Sequence, residues 1–326
     1  MKGKRMEDFL VRDEEETDPS YGKRPEERSV EELLQYGVVN LDKPAGPTSH
    51  EVVSWVKRVL EIEKAGHTGT LDPKVTGVFP VLLGNATKIV KTLLTSSKGY
   101  ICLMHLHGDV EERKLREVLS EFTGKIYQRP PLKSSVRRRL RKREIYRIEI
   151  KEIEGRDVLF EVECESGTYI RKLCHDIGEV LLVGAHMAEL RRIKSGPFTD
   201  EKLFTLQDLK DAYVFWKEEG DEKWIREIIR PMEEALVHIP WIIIKDSAVD
   251  AISHGADLAI PGILKVERTV KRGMIVGVFT LKGELVAIGK SLKSADEVIN
   301  EDRGIAVDIE RVVMPRGIYP RGWKKS

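Results

Sequence analysis

The chain has 326 residues, 41% of them hydrophobic and 33% charged, with 55 lysines and arginines against 54 aspartates and glutamates. That length and balance specify a folded protein with core enough for two domains and exclude a disordered or low-complexity chain. No apolar run approaches a membrane span and the polar N-terminus has no signal-peptide core, so a cytoplasmic protein is expected. Three cysteines (Cys102, Cys164, Cys174) in no C-x-x-C pair argue against a disulfide framework and a zinc site.

Residues 1–36 read as a polar extension with little pattern of its own. YGVVNLDKPAGPTSHEVVSWVKRVLEI then gives a short apolar strand, a Pro/Gly turn and a helix. Ser49 is its expected N-cap, and Val52, Val53, Val56, Val59 and Leu60 form its apolar stripe. The next stretch, GHTGTLDPKVTG, sets Asp72 directly before Pro73. An aspartate ahead of proline is a common helix start, and the proline keeps it out of the α region. Gly66, Gly69 and Gly77 also suit a loop that a substrate can approach closely, with Asp72 as a catalytic carboxylate. Local rules alone favour the cap.

GVFPVLLGNATKIVKTLL reads as strand, Gly84-Asn85 turn and helix, and KGYICLMHLHGDV as a strand with Lys98-Gly99-Tyr100 just ahead of it. Tyr100 there suits either core packing or a stacking platform. A helix is predicted at about 111–121. EIYRIEIKEIEGRDVLFEVECESGTYI gives two antiparallel strands around Glu154–Asp157. TYIRKLCHDIGEVLLVG switches to helical period, with Ile170, Leu173, Cys174 and Ile177 on one face. Arg171 in its first turns is either a surface arginine or a partner that would hold a carboxylate ionised and oriented. Cys174, His175 and Asp176 form no triad, because consecutive helical side chains do not face one another. HMAELRRIKSGPFTD returns to strand. Strands and helices without regular alternation predict an α+β fold on a mainly antiparallel sheet.

An acid-rich break at 217–235 precedes short β runs punctuated by glycine, including a hairpin from MIVGVFT to ELVAIGK through Lys282-Gly283. These predict a separate small β-barrel-like module. The near-zero net charge hides a strong local bias. Between 133 and 147, Lys133, Arg137, Arg138, Arg139, Arg141, Lys142, Arg143 and Arg147 face a single acid, Glu144. Such a run is either a solvated face or a polyanion site, and its density favours nucleic acid. No P-loop, G-x-G-x-x-G or H-E-x-x-H spacing occurs, so no nucleotide, flavin or metal cofactor is expected.

GHTGTLDPKVTGVFPVLLGNATK resembles the catalytic-aspartate signature of the TruB-type pseudouridine synthases. LDKPAGPTS resembles their upstream Lys-Pro motif, KGY their substrate-tyrosine motif, SGTYIRKL their arginine motif and AELRRIKSGPF the following strand. The terminal module resembles a PUA domain, a small RNA-binding barrel. QRPPLKSSVRRRLRKREIY, CESGTYIRKLCHDIG, VGAHMAELRRIKSGPF and HGADLAIPGI are similar to the guide-RNA-dependent branch, the archaeal relatives of dyskerin in H/ACA ribonucleoproteins. Thr68 and Asn85 depart from that branch's usual spellings.

The resemblance implies a pseudouridine synthase fold with a C-terminal PUA domain and no cofactor. It makes Asp72 the nucleophile, Tyr100 the residue stacking on the target base and Arg171 the partner of Asp72. Lys43 and Pro44 would support the loop, His67 would lie beside the RNA, and Leu190 would wall the uracil pocket. RNA contacts are expected at Arg137, Arg138, Arg139, Arg141, Lys142 and Arg143, and at His254, Gly255, Ala256, Asp257 and Leu258. The implied partners are an H/ACA guide RNA, substrate rRNA (tRNA in the alternative) and small accessory proteins, with no membrane. The expected divisions are an extension at 1–36 packing on the PUA domain, a catalytic domain at 37–235, the PUA domain at 236–316 and a tail at 317–326. Two rival readings stand beside this one: a stand-alone tRNA T-arm synthase, and a non-catalytic RNA-binding scaffold.

Overall fold

A computed structural model describes residues 4–129 and 139–321. The N-terminal extension is patterned after all. It carries strand β1 (Phe9–Val11) and helix α1 (Val30–Tyr36), the latter begun by a capping box in which Ser29 and Glu32 satisfy each other's backbone N–H. Then come β2 (Gly37–Lys43), α2 (Ser49–Val59), β3 (Ala65–His67), β4 (Thr76–Leu83), α3 (Val90–Leu94), β5 (Lys98–Leu106), α4 (Glu112–Glu121) and β6 (Gly124–Gln128). The chain continues through β7 (Arg141–Glu154), β8 (Asp157–Cys164), α5 (Ile170–Val180), β9 (Ala185–Ser195) and β10 (Phe198–Thr199). Two helices unforeseen in the acid-rich region follow, α6 (Leu206–Glu219) and α7 (Lys223–Ile228), and then β11 (Ile229–Pro231).

The C-terminal module comprises β12 (Trp241–Ile244), α8 (Asp246–Ser253), β13 (Leu258–Ala259), β14 (Ile263–Glu267), β15 (Ile275–Phe279), β16 (Leu285–Ser291), α9 (Ala295–Asn300) and β17 (Ile305–Val312). Its two helices interrupt what reads in sequence as β runs alone. Thr48, not Ser49, caps α2. The Thr48 hydroxyl accepts from Glu51 N, and Glu51 accepts from Thr48 N at 2.7 Å. This reciprocal pairing leaves Ser49 free for another task.

The larger sheet runs β11-β2-β4-β9-β5-β8-β7-β6, with β3 on β4 and β10 on β9. Its strand pairs are antiparallel except β4 with β9. The alternation legible in β8 is real: Val158, Phe160, Val162 and Cys164 are buried, while Glu161 and Glu163 face the other way. On the buried side lies α5, whose Ile170, Leu173, Cys174 and Ile177 are at most 3% exposed. Each such aliphatic side chain stabilises the fold by roughly 1.5–3 kcal/mol. The packing of α5 on β9 decides where the helix's first turn projects.

The second sheet runs β1-β14-β12-β15-β16-β17-β13, so the N-terminal extension supplies an edge strand to the C-terminal module. That module has its own core, but it also shares an apolar seam with the larger sheet. Val38, Leu82, Ile89 and Leu93 pack there with Trp241, Ile243, Phe279 and Leu285. Trp241 stacks on Phe279 with ring centroids 3.9 Å apart. Beside the seam, Arg28 donates two hydrogen bonds of 2.8 Å to Glu233, which also accepts from Leu285 N. Three distant segments therefore meet at one buried carboxylate.

Removing that carboxylate strands the buried Arg28 guanidinium. Glu233→Ala is expected to cost about 3–5 kcal/mol of stability in urea denaturation; an unchanged midpoint would show that the seam alone holds the junction.

Candidate active site

The loop between β3 and β4 carries Asp72, and the residues around it explain its shape. Asp72 caps no helix. Its carbonyl accepts from Val75 N at 3.0 Å, closing a turn with Pro73 at its second position, and β4 begins at Thr76. The extended course is enforced at Gly77, which has φ +98° and lies so close to β9 that a Cβ would come within 2.2 Å of the Arg192 carbonyl. A side chain there would push the turn off the sheet.

Two buried polar side chains pin the loop from below. Lys43, at the end of β2, is fully buried, and its ammonium donates to the carbonyls of Pro44 (2.9 Å), Pro73 (3.0 Å) and Val75 (3.0 Å). Burial lowers its pKa from the ordinary lysine value. Ser49 Oγ donates to Leu71 O and accepts from Leu71 N, both at 2.9 Å. Gly46 N adds a bond to Pro73 O at 2.9 Å. Backbone groups on both sides of Asp72 are thus fixed, and its side chain projects away from them.

There it meets Arg171 in the first turn of α5; the Arg171 Nη2 and Asp72 Oδ2 atoms form an ion pair, each side chain about half exposed. The pair stands at a cavity of about 540 Å³ whose wall includes Leu71, Tyr100, Met187, Leu190 and Arg192. Tyr100 lies within β5 rather than ahead of it and is 9% exposed. Burial raises its pKa above the ordinary phenol value. Behind it, Arg192 donates through Nε to Val78 O (2.7 Å) and through Nη2 to Gly69 O (3.2 Å), and its positive charge opposes the rise of the Tyr100 pKa. Lys98, 4% exposed, donates to Leu93 O (2.9 Å), Ser96 O and Ser96 Oγ (both 3.0 Å). Burial, with Arg192 nearby, brings its pKa down to about 7.

The structure therefore brings Asp72, Tyr100, Arg171 and Leu190 to one cavity, with Lys43 and Pro44 under its loop. His67 does not line that cavity. It packs between His50 and Phe79, with ring centroids at 5.6 and 5.4 Å, and its Nδ1 accepts from Gly69 N. Burial above all pushes it down to about 4. A larger groove of about 1090 Å³ abuts the cavity and shares Arg171 and Met187 with it.

The basic run is partly a strand rather than a loop. Arg141, Lys142 and Arg143 pair with β6, and Arg143 is engaged by Glu165 at 3.2 Å. Arg139 is exposed, and Arg137 and Arg138 lie outside the described residues. In the C-terminal module, His254 closes α8, Gly255 has φ +93°, and Asp257 accepts from Ile309 N at 3.0 Å. Ala256 is exposed, but Leu258 is 1% exposed and belongs to the core, so its side chain is not available to RNA. Sequence reasoning missed Ser49, Lys98 and Arg192 as parts of the site. An inward-facing cation within a strand was the readable signal for the last two.

Comparison with known proteins agrees with this geometry. Residues 57–170 match the TruB family pseudouridylate synthase N-terminal domain, and 171–237 the tRNA pseudouridylate synthase B C-terminal domain. Residues 2–53 match the DKCLD domain and 240–313 the PUA domain. A probable tRNA pseudouridine synthase B of Methanopyrus kandleri is 59% identical across 98% of this chain and 94% of that protein. The chain belongs to the TruB family. It is an RNA pseudouridine synthase. A synthase of the same description from Archaeoglobus fulgidus is 58% identical across 99% of both chains. Among solved structures, the fold superimposes on a chain of an H/ACA RNP bound to a substrate RNA containing 2'-deoxyuridine (56% identity, 97% of each chain, TM-score 0.91). It also matches a chain of a Cbf5-Nop10-Gar1 complex (58% identity, 96% of this chain and 95% of that one, TM-score 0.92). No described helix of the synthase is long and apolar enough to cross a membrane.

Ser49→Ala orphans both backbone groups of Leu71. The synthase should lose about 1–3 kcal/mol of stability and at least tenfold in rate; a fully active variant would show that the other loop bonds suffice. His67 should titrate by NMR near pH 4. Its folded pKa lies below the unfolded value of 6.5, so its burial costs stability as pH falls from 6.5 towards 4. His67→Gln should flatten that loss, and a midpoint above 6 would contradict the buried environment.

Proposed function

We propose that this synthase converts uridines of ribosomal RNA to pseudouridine as the catalytic subunit of a guide-RNA-directed, cytoplasmic ribonucleoprotein. The observation that carries the reading is the full-length likeness to a chain of an H/ACA RNP bound to substrate RNA, with 97% of each chain covered. The accessory proteins of such a particle and the guide RNA would then be its partners. Asp72 is the nucleophile, Arg171 orients it, and Tyr100 receives the target base once that base has left its stack. Uridine isomerisation breaks a C–N glycosidic bond and forms a C–C bond to the same sugar. A carboxylate acts as in retaining glycosidases, and no oxidation or phosphate energy is involved.

A second reading, a stand-alone synthase acting on tRNA, is favoured by the description of the curated relatives as probable tRNA pseudouridine synthase B. The two separate in one assay: an rRNA fragment and a tRNA, each with and without guide RNA and accessory proteins. Modification of rRNA that depends on the guide is the expected result; guide-independent activity restricted to tRNA would overturn it. In the same assay Asp72→Asn should lower product formation by more than about a thousandfold with RNA binding retained. A fully active variant would instead support a scaffold. Neutralising Arg137, Arg138 and Arg139 together should weaken RNA binding and flatten its dependence on salt, by up to ~0.9 of a log unit per log unit of salt for each phosphate no longer neutralised. An unchanged slope would leave that run as a solvated face.

A further inference from the structure

Four charged side chains line the cavity: Asp72, Lys98, Arg171 and Arg192. Asp72 and Arg171 pair with each other. Among the described residues no carboxylate lies at ion-pair distance from Lys98 or Arg192, which are 4% and 1% exposed. Burying a cation without a counter-ion is costly. Arg192 bears that cost outright, and Lys98, brought down to about 7, eases it by giving up its proton near neutral pH, a proton that an anion in the cavity would draw back. Neutral acceptors hold both side chains: three from the 93–96 segment for Lys98, and Val78 O and Gly69 O for Arg192. The two flank the Asp72 loop together. A Cβ placed on Gly69 would lie 3.4 Å from Arg192 Nη1 and 3.6 Å from Lys98 Cε. The cavity accordingly holds more buried positive charge than its own residues neutralise, on the side that Tyr100 shares.

The chemistry of the reaction supplies an anion at that place. If Asp72 attacks the sugar rather than the uracil ring, it bonds C1′ of the target ribose while the C1′–N1 bond breaks, and the electron pair stays on the base as a uracil anion spread over N1, O2 and O4. The base turns, and C5 bonds to C1′ as the Asp72 carboxylate leaves with its electron pair. C5 then loses its proton and N1 gains one, so the sum is an isomerisation with no external reactant. A carboxylate suits the electron-poor sugar carbon. It does nothing for the detached base, whose negative charge needs a stabilising partner of its own.

We propose that Lys98 and Arg192 form a buried cationic wall that stabilises the uracil anion while it is detached from the sugar and turning on Tyr100. This rests on the pseudouridine synthase reading of Asp72. Both cations act through their field at fixed positions, the kind of preorganised stabilisation that contributes most where water is absent. The alternative is that they merely brace Tyr100 and the loop.

The two roles part on leaving-group dependence. Lys98→Met and Arg192→Met would be assayed under single-turnover conditions, in the full chain with its RNA, on a uridine target and on the same RNA carrying 5-fluorouridine. The fluorinated base is more acidic and leaves more readily. Because fluorine leaves no proton to lose at C5, the step followed on both substrates would be loss of the N1-linked nucleoside as the C5–C1′ bond forms, read by chromatography alongside RNA affinity and thermal melting. For each variant the expected loss is at least about a hundredfold on uridine, falling to about tenfold on 5-fluorouridine, with RNA affinity within about twofold of the parent; Arg192→Lys should recover part of the rate. Equal losses on the two substrates, or no loss, overturn the proposal. Should Arg192→Met fail to fold, Lys98→Met carries the test, because its acceptors lie outside the Asp72 loop. A parent protein that makes no pseudouridine, or an active Asp72→Asn, would instead refute the assignment of Asp72 itself.

Discussion

A fully buried ammonium holds the Asp72 loop in place. Lys43 is tolerated in the interior because each of its three protons meets a backbone carbonyl, and two of those carbonyls, Pro73 and Val75, belong to the turn that begins at Asp72. Any shift of the turn would orphan a charged donor in a low-dielectric interior, where that costs several kcal/mol. Ser49 exerts the same control on Leu71, one residue before the aspartate. Between these clamps Asp72 keeps its side chain for Arg171 and the cavity.

The division of charge follows from that arrangement. Asp72 and Arg171 meet at the half-exposed mouth, while Lys98 and Arg192 are buried deeper, beside Tyr100. Arg192 ties the two levels together, since its hydrogen bonds reach the Asp72 loop through Gly69 and β4 through Val78, and it lines the cavity with Tyr100. Far along the chain, the N-terminal extension joins the second sheet as β1, and Arg28 anchors it to Glu233. The module that resembles an RNA-binding barrel is thereby fastened to the catalytic sheet by an apolar seam and a buried ion pair, not by a linker.

Much of this was legible in sequence where period and local chemistry agree. The β7–β8 hairpin and the apolar face of α5 follow from alternation and helical spacing, whereas the grouping of Asp72, Tyr100 and Arg171 comes from the resemblance to the TruB-type synthases. Asp72 misled because Asp-Pro begins turns as readily as helices. The close approach of Gly77 to Arg192, 115 positions further along the chain, and the bonds from Lys43 to Pro73 and Val75 select the turn. α6 was hidden by the acids around it, although Thr205 and Asp208 spell a capping box, as Ser29 and Glu32 do for α1. The roles of Lys43 and Ser49 could not be read locally, because their acceptors on the Asp72 loop lie 22 to 32 residues away.

The central claim is that a buried lysine fixes the geometry of Asp72, the proposed nucleophile. The measurement that tests it most directly is the single-turnover rate of pseudouridine formation by Lys43→Met in the assembled particle, with RNA affinity and the far-ultraviolet spectrum measured on the same preparation. A displacement of the carboxylate by about 1 Å should lower the rate roughly a hundredfold while RNA affinity and overall fold are kept. A rate equal to that of the parent protein would contradict the account, because it would mean that Asp72 finds its place without the clamp.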